Sequence, residues 1–370
     1  MTLRMPRRLS PAGFPHRGGA LVVLLATFAL GGCEVLDIIE DPPEIQPRLI
    51  VDGENTTLTV AQLLPSSVTI SGNNFNLSLA GATSTRTLGD LCGAPCAAFP
   101  DNTTVIAPKP AFTADITTTL NLPADVRSAA LVSGSLVVRL ANNLGFDPVN
   151  PPGALSSGSV AVTLSSGTTT LATRTLAGPA ETFPNGSTRD VTIPLSAANI
   201  TGPIVARVTI NSPATATPVE MRKSNSFSVT GTPQTLLLSS ATVGVTNRSV
   251  NVNQVTFDFE GIDDTIKDRI VRGALIVTVT NPFNVTGTLN VNFTGTATPI
   301  ATKTINVATT GQQRIEFTGN ELRALLGNNV TMTISGVVTG PAAGITVTPA
   351  QVLGVATKLD LTISSKSQVN

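Results

Sequence analysis

Residues 132–142, Val-Ser-Gly-Ser-Leu-Val-Val-Arg-Leu-Ala-Asn, and residues 271–281, Val-Arg-Gly-Ala-Leu-Ile-Val-Thr-Val-Thr-Asn, are two copies of one motif. In both copies apolar and polar residues alternate, which is typical of a half-buried strand in an antiparallel sheet. Three further pairs follow in the same order: 172–176 with 301–305, 191–193 with 315–317, and 217–220 with 348–351. The chain is therefore predicted to contain two copies of one β-rich unit.

The size of each copy indicates the fold. Each has about 110 to 140 residues and about seven predicted strands, as a β-sandwich does. Alternating runs occur at 136–140, 160–164, 275–279, 289–293 and 330–334, and the one helical pattern lies at 320–327. We predict an all-β chain with two tandem immunoglobulin-like antiparallel β-sandwiches, at residues 48–231, with an insertion at 81–109, and at residues 232–366. An alternative division makes residues 48–110 a small domain of their own.

The N-terminal segment contains the parts of an export signal in order. Four arginines precede an apolar run of eleven residues, Ala20–Leu30, which is shorter than the roughly 20 residues that cross a bilayer. The next residues, Gly31-Gly32-Cys33, together with Leu30 resemble the bacterial lipobox. The resemblance implies that residues 1–32 are a removed signal peptide and that Cys33 is lipidated. The alternative is an ordinary secretory signal with an incidental cysteine.

The formal charge of zero is an average over two unlike parts. Residues 1–32 hold four arginines, no acidic residue and the only His, so residues 33–370 carry 19 basic and 23 acidic residues. This acidic balance argues against binding nucleic acid. Residues 33–47 are acidic and contain prolines, and we interpret them as a tether to the membrane. Because Glu34, not Asp, follows Cys33, the enterobacterial sorting pattern implies the outer membrane, on its periplasmic or its surface side.

Two cysteines remain once Cys33 is acylated. Cys92 and Cys96 lie in Cys-Gly-Ala-Pro-Cys, and an even pair in an exported protein normally forms a disulfide. Three residues separate them, whereas thioredoxin-like redox motifs have two. A zinc site would need further Cys or His ligands. We predict a structural disulfide; a labile or unpaired thiol pair is the alternative.

The second copy also resembles a known family. Gly273–Phe283, followed by Thr286–Phe293, is similar to the strand, Asn-Pro, strand pattern of the WHy and type 2 late-embryogenesis-abundant domains. The resemblance implies a β-sandwich and an association with stress protection and interaction surfaces. It implies a fold more than an activity, because that family has no established catalytic residues. The first copy departs from the pattern, with Asn143 where the second has Pro282.

Few residues are available for catalysis. Residues 33–370 contain no His, so Ser-His-Asp and Cys-His catalysis and His-based metal sites are excluded in their ordinary forms. The chain has neither Trp nor Tyr on which sugars or bases could stack. Candidate calcium ligands or acid-base groups are Asp258, Glu260, Asp263 and Asp264, although their spacing lacks the EF-hand pattern. We expect Asp263 or Asp264 to cap a turn instead, and we expect no cofactor.

Together these features favour a lipid-anchored cell-envelope protein with a non-catalytic structural or protein-interaction role. Cys33 would provide its membrane contact, and the sequence does not specify its envelope or surface partner. One alternative is a carrier of lipophilic ligands, which requires a continuous cavity between the sandwich sheets. A second is a hydrolase that uses the carboxylates at 258–264, with two carboxyl groups about 5–10 Å apart in a concave pocket.

Overall fold

The computed structural model describes residues 44–259, 262–295, 298–308 and 310–365. The predicted signal peptide, Cys33 and residues 34–43 lie outside this range, as does Glu260. The Ile45 N–H donates to Ser365 Oγ at 3.0 Å, and the Ile363 N–H donates to the Pro47 carbonyl at 3.0 Å. Residues 44–47, predicted as tether, therefore belong to the folded part.

Strands dominate the described residues, and their pairings are antiparallel. The first eleven are β1 (Arg48–Thr59), β2 (Val68–Ser71), β3 (Asn74–Leu77), β4 (Ala82–Thr87), β5 (Val105–Pro108), β6 (Phe112–Leu120), β7 (Val126–Asn143), β8 (Ser159–Ser166), β9 (Thr169–Ala177), β10 (Thr188–Leu195) and β11 (Ala198–Ile200). The others are β12 (Ile204–Ser212), β13 (Pro218–Met221), β14 (Ser226–Val243), β15 (Arg248–Asp258), β16 (Ile270–Thr280), β17 (Thr286–Thr294), β18 (Pro299–Asn306), β19 (Gly311–Glu316), β20 (Asn329–Thr339), β21 (Ile345–Val347) and β22 (Val352–Ile363). The helices are α1 (Leu88–Cys92), α2 (Asp264–Lys267) and α3 (Gly319–Leu325), with 3-10 turns at Val60–Gln62 and Ala94–Cys96. Within this part of the chain, none of the helices has the length and apolar character needed to cross a membrane.

The predicted all-β class is confirmed. Of the residues that the structure describes, about 59% lie in strands and 7% in helices. The five alternating runs lie in β7, β8, β16, β17 and β20. On β8 every second residue from Val160 to Ser166 is buried, so the period of two reflects one face packed on the core and one face turned outward.

Two sandwiches of eight strands share one strand order. In sandwich 1 the sheet β4-β14-β7-β10 faces the sheet β6-β12-β8-β9. In sandwich 2 the sheet β1-β22-β16-β19 faces the sheet β15-β20-β17-β18. The repeated segments 132–142 and 271–281 lie at matching positions, on β7 and β16. The repeat therefore builds the same antiparallel sandwich twice.

A buried asparagine ends the repeated strand of sandwich 1. The Asn142 Nδ2 donates to the carbonyl oxygens of Phe146, at 2.9 Å, and Phe183, at 2.7 Å. Its Oδ1 accepts a hydrogen bond from the Leu144 N–H at 3.0 Å. This one side chain therefore joins the end of β7 to two separate loops.

The same bonds recur in sandwich 2. The Asn281 Nδ2 donates to the carbonyl oxygens of Val285 and Val307, both at 2.8 Å. Its Oδ1 accepts from the Phe283 N–H at 3.2 Å. In each copy the acceptor lies four residues after the asparagine and the donor two residues after it. Asn142 and Asn281 are thus equivalent positions, which confirms the repeat in three dimensions.

The strand β1 belongs to sandwich 2, which corrects the prediction that residues 48–231 form a single sandwich. It pairs with β22, with Arg48 opposite Thr362. Two hydrogen bonds, of 2.5 and 2.7 Å, join Arg48 to the buried carboxylate of Asp360, which also accepts a bond from Arg314 on β19. The chain therefore contributes an edge strand to sandwich 2 before it builds sandwich 1.

The strand β4 is the corresponding edge strand of sandwich 1, so the predicted insertion at 81–109 is wrong. All six residues of β4 pair with β14. Farther along the same segment, β5 pairs with β13. Because β1, β3 and β4 each pair with strands from distant parts of the chain, residues 48–110 are not a separate domain either.

The predicted boundary at residue 231 falls inside a continuous strand. β14 has 18 residues; its first half pairs with β4 and β7 in sandwich 1, and its second half pairs with β3, β21 and the beginning of β7. The buried apolar side chains of both sandwiches form one continuous cluster. The predicted division into residues 48–231 and 232–366 is therefore wrong, because shared strands connect the two sandwiches.

Strand pairing also corrects the repeat alignment at β10. When β7 and β16 are aligned at their terminal asparagines, Ile193 corresponds to Ile315, and Leu195 to Phe317. The sequence repeat, which pairs 191–193 with 315–317, instead aligns Ile193 with Phe317, two residues away. A shift of two preserves the alternation of a strand, so the sequence pattern could not separate the two alignments.

Candidate functional site

The predicted cysteine pair lies at the end of α1. Thr87 and Asp90 cap the helix reciprocally, and Cys92 and Cys96 are joined by a disulfide with a Cα to Cα distance of 5.5 Å. Both cysteines are buried. The predicted disulfide is confirmed, and its burial favours a structural role. In the chain-entropy model so short a loop contributes only about 2 kcal/mol of stability.

The predicted calcium ligands do not form a site among the described residues. They are Asp258 at the end of β15, Glu260, which lies outside the described range, and Asp263 and Asp264 at α2. Hydrogen bonds from Thr265 lower the pKa of Asp263, which caps α2 as expected. Asp264 pairs with Lys267 at 2.6 Å. In the ranges that the structure describes, no three His, Cys, Asp or Glu side chains are grouped closely enough to hold a metal ion.

An open groove of about 520 Å³ runs along the side of sandwich 1, between β9 and β10. These are edge strands of the two facing sheets, so the groove is where the sandwich is open at its side. It is lined by Ala172, Thr173, Arg174, Leu176, Glu181, Arg189, Asp190, Val191, Thr192, Ile193 and Pro194. Leu176, Val191 and Ile193 are buried beneath the groove floor, whereas the threonines are exposed, so most of the accessible lining is polar.

Three of the four charged side chains in this groove already have partners. Arg189 pairs with Glu181 at 2.9 Å, and Asp190 accepts two hydrogen bonds from Arg139, at 2.7 and 2.8 Å. The bonds from Arg139 lower the pKa of Asp190. Arg174 is exposed and, in the part of the chain that the structure describes, forms neither a salt bridge nor a side-chain hydrogen bond. The groove thus offers one unpaired positive charge.

In sandwich 2 the counterpart of Arg174 is Lys303, and it is covered by α3. The Lys303 Nζ bonds to Glu321 Oε2 at 2.8 Å and lies 5.1 Å from the ring centre of Phe317. Only 13% of the Lys303 side chain is exposed. A cation at the same position of the repeat is therefore paired and covered in one sandwich and free in the other.

The helix α3 is anchored by its cap and by two buried leucines. Thr318 and Glu321 form a capping box, so the N-cap is Thr318, two residues before the helical pattern at 320–327 begins. Leu322 and Leu325 are buried. A Cβ added at Gly273 would come within 2.4 Å of Leu322 Cδ2, so the helix packs directly on the backbone of β16.

The length of one connection explains why sandwich 1 has no such helix. Twelve residues, 317–328, join β19 to β20, but only eight, 196–203, join β10 to β12. Three of those eight form β11, which pairs with β7. The shorter connection therefore runs along the sheet instead of folding over the edge, and it leaves the groove uncovered.

A buried lysine was not predicted. The Lys109 Nζ lies 5.1 Å from the ring centres of both Phe112 and Phe146, and it donates to the carbonyl oxygens of Pro110, at 3.0 Å, and Pro213. Lys109 is 2% exposed, and burial lowers its pKa to about 8. Carbonyl oxygens and aromatic rings surround the amine, which gives it a packing role rather than access to a substrate.

Among the described residues, the aromatic side chains of the sandwich 2 core line a small pocket. It has a volume of about 10 Å³ and is lined by Phe257, Phe259, Leu275, Phe293, Leu325 and Leu359. About 10 to 15 Å³ is the least that admits a single water molecule. In sandwich 1 the groove lies at the side of the sheets and not between their centres.

Comparison with known proteins adds no family assignment. No family model and no curated protein matches the chain. Solved structures that are similar to it include a protein from Parabacteroides distasonis whose name suggests secretion (13% identity, TM-score 0.31, covering 85% of this chain and 99% of that one). Another comprises the tandem CBM51 modules of a family 98 glycoside hydrolase from Streptococcus pneumoniae (8% identity, TM-score 0.17, covering 74% and 99%). At these TM-scores the likeness supports no argument about function.

Two features of the sequence indicate the groove when they are taken together. Arg174 and Lys303 stand at the same place in the repeat segments 172–176 and 301–305, and only the second copy has a helical pattern, at 320–327. Together they suggest a covered cation in one copy and an uncovered one in the other. For Lys109, in Pro-Lys-Pro, no sequence signal indicated burial.

Proposed function

We propose that this chain is a lipid-anchored protein of the bacterial cell envelope that binds a partner protein, without catalysis, through the groove of sandwich 1. The observation that carries the proposal is the difference between two otherwise matched sandwiches. The edge that α3 covers in sandwich 2 is open in sandwich 1, where it presents a mostly polar lining over buried apolar side chains, together with the unpaired Arg174. An uncovered sandwich edge with one free charge is suited to binding another surface.

The membrane part of the proposal rests on the N-terminal sequence. The lipobox-like Leu30-Gly31-Gly32-Cys33 supports lipidation at Cys33, and Glu34 supports an outer-membrane location. The acidic balance of residues 33–370 supports a partner other than nucleic acid.

The two alternatives receive less support from the geometry. A lipophilic carrier needs a continuous internal cavity, whereas the described apolar pocket in the core of sandwich 2 has a volume of only about 10 Å³. A hydrolase at 258–264 needs two carboxyl groups in a concave pocket. Of the carboxylates there, Asp263 caps α2 and its pKa is lowered by hydrogen bonds from Thr265, and Asp264 pairs with Lys267.

A matched pair of crosslinking positions tests the groove. A photo-reactive amino acid at Thr173, in the groove, should give a covalent adduct with a protein in the native envelope. The same residue at Thr302, the counterpart of Thr173 in sandwich 2, is the control and should give no adduct. Absence of an adduct at Thr173, or equal yields at the two positions, would refute a binding role for the groove.

The anchor is tested separately. Cys33→Ser should release the protein from washed membranes into the soluble fraction, because no acyl chain can then be attached to residue 33. Retention equal to that of the wild type would show that Cys33 is not the anchor.

A further inference from the structure

The open groove of sandwich 1 and the covered edge of sandwich 2 are chemically matched. Arg174 corresponds to Lys303, and the segments that contain them, Ala-Thr-Arg-Thr-Leu and Ala-Thr-Lys-Thr-Ile, differ only by conservative changes. In sandwich 2 the cation bonds to Glu321, which belongs to the capping box of a short helix. The chain therefore shows, in its own second copy, which kind of segment this edge accepts.

We propose that the groove of sandwich 1 binds a short helix of the partner protein, with an N-terminal glutamate paired to Arg174 as Glu321 is paired to Lys303. This inference rests on the proposed function and specifies the chemistry of the partner. The partner segment has a Ser or Thr N-cap, a Glu three residues later, and apolar residues directly after the Glu and three positions beyond, as in Thr-Gly-Asn-Glu-Leu-Arg-Ala-Leu.

The dimensions of the groove suit such a segment. Four residues of β9 line it, Ala172, Thr173, Arg174 and Leu176, and the segment 172–176 that contains them corresponds to about 16 Å of strand. The seven residues of α3 make a helix about 10 Å long. A helix of two turns can therefore lie within the groove, with its apolar side over Leu176, Val191 and Ile193, whose side chains are largely buried beneath the groove floor.

Charge favours an acidic helix over other ligands. The groove's own carboxylates are held by Arg189 and Arg139, so an incoming acid meets only the free guanidinium of Arg174. A guanidinium forms charge-assisted hydrogen bonds with a carboxylate, which can be bidentate. A sugar would find neither Trp nor Tyr to stack on, because the chain contains none.

One difference between the two edges limits how deeply the helix can lie. In sandwich 2 Leu322 packs against Gly273. At the equivalent Gly134, an added Cβ would lie 2.8 Å from Leu236 Cδ2, so Leu236 occupies that space already. The partner's first leucine must therefore pack farther out, on the groove floor.

A peptide with the sequence of residues 318–327 is a suitable probe. It is held helical by a hydrocarbon link between positions 320 and 324, which are exposed in α3, and carries a fluorophore. It is titrated with residues 33–370 carrying Cys33→Ser, and binding is followed by fluorescence anisotropy. We expect saturable binding that Arg174→Glu weakens about tenfold or more, because a charge-assisted hydrogen bond is replaced by repulsion.

Charge reversal provides the decisive comparison. A peptide with Glu321→Arg should bind the wild type weakly and should regain affinity for the Arg174→Glu protein. Arg86→Glu, which changes another exposed arginine of sandwich 1, should leave the affinity unchanged. No saturable binding, or an equal loss with Arg86→Glu and Arg174→Glu, would overturn the inference. A Thr173 adduct without peptide binding would refute the acidic helix and leave the proposed function standing, whereas no adduct would refute the proposed function itself.

Discussion

Replacing Asn142 or Asn281 by Ala should destabilise the protein by nearly the same amount. Each side chain makes three hydrogen bonds to backbone groups, of 2.7 to 3.0 Å for Asn142 and 2.8 to 3.2 Å for Asn281. Both residues are buried, so water replaces few of these bonds. At about 1 kcal/mol for each lost bond, we expect each variant to lose about 3 kcal/mol of unfolding free energy.

Urea denaturation followed by circular dichroism measures this loss; tryptophan fluorescence cannot, because the chain has no Trp. Asn143→Ala is the matched control, since Asn143 is adjacent but exposed, and it should change the free energy by less than about 0.5 kcal/mol. Asn142→Asp should be no better than Asn142→Ala, because it directs a carboxylate oxygen at two carbonyl oxygens. Losses below about 1 kcal/mol in both alanine variants would show that these asparagines do not join the strand ends to their loops.

Three further predictions concern stability. Burial lowers the pKa of Lys109 from 10.5 to about 8, so the native state releases this proton at a lower pH than the unfolded state does. Between pH 7.5 and 10 the unfolding free energy of the wild type, measured by urea titration, should therefore rise by about 2 kcal/mol relative to that of Lys109→Met. Parallel pH profiles would contradict the burial of a charged amine. Hydrogen bonds from Arg48 and Arg314 lower the pKa of Asp360 from 3.8 to about 2. The ionised carboxylate therefore contributes its full share of the unfolding free energy above pH 3.8, and the wild type should lose about 2 kcal/mol of this free energy between pH 7 and 2. Asp360→Asn should lack this acid-dependent loss, and a profile like that of the wild type would argue against the pairing of β1 with β22. Residues 232–366 alone should fail to fold cooperatively, because β22 then has no β1 to pair with. A peptide of residues 44–60 should restore a β-sheet circular dichroism spectrum. A stable fragment without the peptide would contradict the assignment of β1 to sandwich 2.

The fold class could be predicted from the sequence because burial on one face of an antiparallel sheet produces a period of two. That period identified strands such as β8 and β16, and the repeat identified their equivalence. The location of β1 could not be predicted in this way. Its partner β22 lies about 300 residues away in the sequence, and many strands of this chain share the same Thr- and Val-rich alternation.

The groove was harder to predict than the strands. It arises from a connection that is four residues shorter in sandwich 1 than in sandwich 2, and from the position of α3 over Lys303. Both facts depend on how edge strands meet in space, which local patterns do not encode. Likewise Asn142 and Asn281 were visible as the last residues of the repeated motif, but an asparagine after a strand usually indicates a turn, and only the structure shows their burial.

Thiol labelling of Thr192→Cys shows whether a partner occupies the groove of sandwich 1 in the cell envelope. Cys92 and Cys96 form a disulfide and Cys33 is the proposed lipidation site, so the introduced cysteine would be the free thiol. Its maleimide labelling should be fast in the purified protein and about tenfold slower in the intact envelope if nine tenths of the grooves are occupied. Arg86→Cys should label at equal rates in both. Equally fast labelling of Thr192→Cys in the envelope and in the purified protein would show that no partner occupies the groove.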